Sequence, residues 1–86
     1  MATVFIPSLL RPLAGGAVTL PVPGATLRDV LDNLGKAHPE LLERIVDAGG
    51  IRPGIMIAID SDEAFGLDAP VADSAEVHIL PAIAGG

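Results

Sequence analysis

Chemistry in this chain concentrates at its C-terminal end. From Ile79 the sequence reads Ile-Leu-Pro-Ala-Ile-Ala-Gly-Gly and finishes at the Gly86 carboxylate. A carboxylate beside a CH2 is open to approach from both faces. Two glycines without side chains can pass through a channel too narrow for any other residue. Free, such a carboxylate is ionised, with a reference pKa of about 3.5, and is a poor electrophile. Joined to AMP it becomes a reactive mixed anhydride, and attack by sulfur then leaves a terminal thiocarboxylate. Five residues from Ala82 onward reach roughly 16 Å when extended. Nothing else in the chain could perform the ATP step, so that step is expected to belong to another protein.

The remaining candidate groups read as ordinary surface. His38 and His78 lie on different elements and lack further ligands at metal-binding spacing, so both are expected to be solvated. Asp60-Ser-Asp-Glu63 lacks the loop glycine and distal glutamate of a calcium loop and reads as a polar turn. Gly15-Gly16 and Gly49-Gly50 match neither phosphate-binding pattern. No Ser or Thr has a plausible histidine base, so a hydrolytic triad is not supported. The absence of Cys excludes disulfides, thiolate metal sites and a Cys nucleophile.

The elements that must hold the C-terminal end follow from periodicity. Residues 3–10 read as a strand interrupted by Pro7. Residues 17–22 alternate, with Val18, Leu20 and Val22 on one face. Pro21 cannot donate to a ladder and predicts an edge strand. The two together predict a hairpin. Thr26 is an N-cap with Asp29 as its capping-box partner. Leu27, Val30, Leu31 and Leu34 then form one apolar helical stripe. Arg28–Asp32 and Asp32–Lys36 are spaced to pair along this helix. Pro39 ends the helix near Ala37 and opens a short second one carrying Leu41, Leu42, Ile45 and Val46. Residues 55–60 are apolar on both faces and predict an interior strand. Residues 61–64 read as a turn and 65–68 as a short edge strand. Residues 76–80 form a last strand with Val77 and Ile79 inward. Leu31 and Ile57 are predicted to meet in the core.

This order predicts an α+β fold: a β-grasp roll whose first and last strands lie parallel in a mixed sheet, with one main helix packed on one face. The expected division is one domain over residues 1–81 and a flexible tail over 82–86.

Composition sets the context. The chain has 86 residues, half of them apolar, two of them Phe and thirteen of them Ala. A core of Val, Ile and Leu must therefore suffice, and a domain this small has a thin stability margin. Eleven acids against five bases give a net charge of −6, which argues against nucleic acid and anionic membranes as partners. No apolar run approaches a membrane span, and no signal peptide is read. A cytoplasmic location is the expectation.

The ending Ile79-Leu-Pro-Ala-Ile-Ala-Gly-Gly86, preceded by Asp73-Ser-Ala-Glu76, resembles that of the ubiquitin-like sulfur carriers (the MoaD/ThiS family). The likeness runs over nearly the whole chain. The start, Ile6-Pro-Ser-Leu-Leu-Arg-Pro12 followed by Gly15-Gly16, is most similar to the CysO-type branch that serves cysteine biosynthesis. Ser74-Ala75 departs from the pattern where a glycine is commoner, and Leu80 stands where Phe is frequent. The resemblance implies a carrier rather than an enzyme, with no bound cofactor. An E1-like adenylyltransferase/sulfurtransferase would spend ATP to adenylate Gly86 and convert it to a thiocarboxylate. A sulfur-accepting client would follow, of the cysteine synthase type or the large subunit of molybdopterin synthase. Gly85 would thread; Ala84, Ile83 and Ala82 would line the extended tail. Leu80, Pro81 and Pro7 would form a patch gripped by partners, although Leu80 reads equally well as core. A protein modifier ending in isopeptide bonds and a plain β-grasp binding subunit are the other readings.

Overall fold

The computed structural model describes residues 1–48 and 50–81. Seven strands and two α-helices follow in order: β1 (Ala2–Phe5), β2 (Thr19–Val22), α1 (Leu27–Ala37), α2 (Pro39–Ile45), β3 (Val46–Asp47), β4 (Gly50–Ile51), β5 (Ile55–Ile59), β6 (Asp62–Ala64) and β7 (Glu76–Pro81). Five of the strands form one mixed sheet in the order β2-β1-β7-β5-β6, and β3 and β4 form a separate two-stranded ladder. β1 runs parallel to β7, with Val4 opposite Val77, and antiparallel to β2. The first and last strands therefore lie side by side, as the residue pattern requires. β2, carrying Pro21, is an edge strand.

α1 forms where its cap and stripe predict. Thr26 is extended, at φ −129° and ψ 164°, and its Oγ1 accepts the Asp29 N–H at 3.2 Å. The stripe residues Leu27, Val30, Leu31 and Leu34 are all buried against the sheet. Val4, Ile6, Ile57, Val77 and Ile79 meet them from the strands, and Leu41 and Ile45 from α2. Burial of each such side chain stabilises by about 1.5–3 kcal/mol. Among the described residues, no polar or charged side chain is buried. Gly24 lets the chain pass close under α1: a Cβ there would lie 2.6 Å from the Val30 backbone nitrogen, at a φ of +154° that side chains rarely adopt.

Four local expectations are corrected. The strand predicted over 3–10 ends at Phe5, and Ser8–Ala14 winds into a 3-10 helix instead. Pro7, at φ −67°, caps that helix, and its carbonyl accepts the Leu10 N–H at 2.9 Å. The strand predicted over 17–22 begins only at Thr19, and Val18 is exposed. The edge strand falls on 62–64 rather than 65–68. Asp60 adopts the left-handed φ of 55°, which permits a two-residue turn directly after β5, so the returning strand begins three residues earlier. Finally, Arg28 pairs with Asp68 at 3.1 Å rather than with Asp32, which ties the loop after β6 to α1. The β3–β4 ladder after α2 has no counterpart in the sequence reading. Among the described residues, no helix is long and apolar enough to cross a membrane.

Candidate functional site

β7 sits between β1 and β5, and its inward Val77 and Ile79 are fully buried. The two neighbours do not hold it equally. The β1 pairing reaches only Phe5 opposite His78, whereas the β5 pairing continues through Leu80 opposite Met56 to Pro81 opposite Ile55. Pro81, the last described residue, is thus held by the ladder. Gly86, Gly85, Ala84, Ile83 and Ala82, the predicted reacting and threading residues, lie outside the described residues.

The register also fixes what faces outward around Pro81. Residues opposite one another share a face, so Leu80 and Met56 stand together on the side of the sheet away from the helices. They are 42% and 37% exposed. Leu80 is therefore surface rather than core. Pro81 is exposed as well, and Pro7, half-buried, lies two residues beyond Phe5 as the cap of the 3-10 helix. One strand pairing further in, the Phe5 and His78 rings stack at 4.2 Å and 12°. His78 Nε2 lies 3.1 Å from Glu76 Oε1, and because a carboxylate only accepts, Nε2 carries the proton. The expectation of a simply solvated His78 is corrected: its ring is fixed by a stack on one side and a hydrogen bond at its edge. His38 instead bridges the two helices, ending α1 and preceding α2. Among the described residues, no cluster of three or more His, Cys, Asp or Glu could hold a metal.

Phe5, Met56 and His78 were not singled out from the sequence as surface partners. Alternation within each strand shows which of them avoid the core, but only the strand order shows that they converge. A hollow of about 380 Å³ lined by Arg28, Ile51, Phe65 and Leu67 includes none of these residues.

Comparison with known proteins places this geometry. The family model described as "ThiS family" matches residues 4–86. "Sulfur carrier protein CysO" of Mycobacterium tuberculosis is 38% identical over 90 residues, covering 98% of this chain and 97% of that protein. The structure superimposes with a TM-score of 0.92, at 31% identity and full coverage of both chains, on a chain of the Amycolatopsis orientalis BexX/CysO complex. Small archaeal modifier protein 1 of Methanosarcina acetivorans is similar at a TM-score of 0.83 and 30% identity, covering 99% of this chain and 95% of that one. The fold is accordingly the ubiquitin-like β-grasp of these neighbours, and the chain belongs to the ThiS family.

Proposed function

We propose that this chain is a sulfur carrier protein of the cytoplasm that serves cysteine biosynthesis. The observation that carries the proposal is its end-to-end similarity to CysO carriers, which takes in the Gly-Gly ending. An E1-like partner binds the domain and its tail. A Gly86 carboxylate oxygen attacks the α-phosphorus of ATP, and pyrophosphate leaves. Sulfide then attacks the acyl carbon, AMP leaves, and Gly86 ends in a thiocarboxylate. The client enzyme receives the extended tail, Ala82 to Gly85, and accepts the sulfur. The chain's own part is to present the tail from the fixed end of β7, with Leu80, Pro81 and Pro7 around the exit as the partners' first grip. That one solved neighbour is a BexX/CysO complex supports a role in protein–protein docking.

Incubation with ATP, sulfide and an E1-like activating enzyme from the same organism tests the proposal. Intact-mass measurement is expected to show one oxygen exchanged for sulfur, and deletion of Gly86 to abolish the gain. No gain on the wild-type chain overturns it.

The likeness to small archaeal modifier protein 1 favours one second reading, a protein modifier joined through Gly86 to lysines of other proteins. Conjugates of higher mass in cells, lost on removal of Gly86, would support it over the carrier.

A further inference from the structure

The outward face of the sheet changes character along β7. At the Pro81 end it is apolar, with Leu80 against Met56. Glu76 on β7 marks the other end, and Glu63 on β6 stands level with His78, two strands away. Between His78 and Glu63 only the small Ala58 intervenes, and the step in side-chain size makes a shallow slot. Ala58 lies opposite His78 on one side and opposite Glu63 on the other. Phe5 covers the face of the His78 ring turned toward β1, so the opposite face turns toward β5, over the small Ala58 side chain. The slot has a flat aromatic wall, a methyl floor, and a carboxylate across from the wall. No Lys or Arg occupies an outward position on the five strands.

Resting on the sulfur-carrier reading, we infer that the slot over Ala58 receives an arginine of the tail-activating enzyme, its guanidinium stacked on His78 and paired with Glu63 and Glu76. A guanidinium fits where an ammonium does not, because it is planar, weakly hydrated and able to stack while donating in its own plane. Exposed apolar side chains of the same enzyme cover Met56 and Leu80. The two contacts have opposite chemistry and occupy neighbouring outward positions, with the apolar one nearer Pro81, so only one orientation of the domain satisfies both. That orientation directs the residues after Pro81 into the partner's active centre. The charge complementarity is consistent with the acidic chain as a whole, whose net charge of −6 favours a basic counterpart.

Steady-state adenylation of the full chain, followed by ATP–pyrophosphate exchange and by intact mass, tests the inference. Glu63→Lys and Ala58→Leu, which reverse the charge and fill the slot, are expected to raise KM for the carrier by at least about tenfold with kcat little changed. Glu63→Gln should raise it less. Glu40→Lys, an equal charge change on the exposed side of α2, should leave KM within about twofold of wild type, which separates the slot from net charge. Melting curves confirm that each variant is folded. Equal KM values for slot and control variants, with the wild type converted normally, overturn the slot and leave the carrier reading intact. Failure of the wild type to gain sulfur overturns both.

Discussion

Gly24 shows how closely single atoms are fitted beneath α1. A methyl group there would meet the Val30 backbone nitrogen at 2.6 Å and its Cγ2 at 2.7 Å, on a backbone at φ +154°. The obstacle is main chain and cannot swing aside. Gly24→Ala is expected to destabilise by about 3 kcal/mol, combining backbone strain with overpacking, measured by urea unfolding. Thr26→Ala removes the acceptor for the Asp29 N–H and should cost about 1 kcal/mol in the same assay. Leu31, 2% exposed between α1 and the sheet, should cost about 2–5 kcal/mol when cut to Ala. A domain of this size loses roughly 4–8 °C of melting temperature per kcal/mol, so scanning calorimetry resolves the three.

Among the elements, those read correctly are those whose signal is local and repeated. The α1 stripe and cap, the Pro21 edge strand and the inward Val77 and Ile79 all rest on spacings within one element, and all are found. Misread segments depend on a single backbone choice. Ser8–Leu10 is apolar enough for a strand, but Pro7 neither donates nor extends the ladder, and a 3-10 turn satisfies the Leu10 N–H locally. The left-handed Asp60 likewise moves β6 forward by three residues, because an Asp can adopt αL without announcing it in the pattern. The exit patch was half legible. Leu80 ends the predicted last strand and Pro81 follows it, yet Met56, Phe5 and His78 join them only through strand order, which no single segment encodes. At this scale the expected result is a division of labour. Leu80→Ser should leave melting unchanged within about 2 °C, since the side chain is already exposed, while weakening carrier binding to the activating enzyme, read by titration calorimetry.

For the whole molecule, the proposed separation of a stable body from a reactive end predicts that deleting Gly85 and Gly86 leaves the urea midpoint where it was and removes sulfur loading entirely. A drop in the midpoint would mean the end is packed against the body. The acidic surface adds a dependence on salt. Association with a basic partner should slow as ionic strength rises, a trend that stopped-flow mixing can follow and that Glu63→Lys should flatten.

The parallel alignment of β1 with β7 has a mechanical corollary. A tug on the C-terminal residue loads the central strand lengthwise, so its hydrogen bonds to both flanking strands must slide together instead of peeling apart one by one. If a partner grips that end as proposed, the domain is expected to be pulled free of it repeatedly without unravelling.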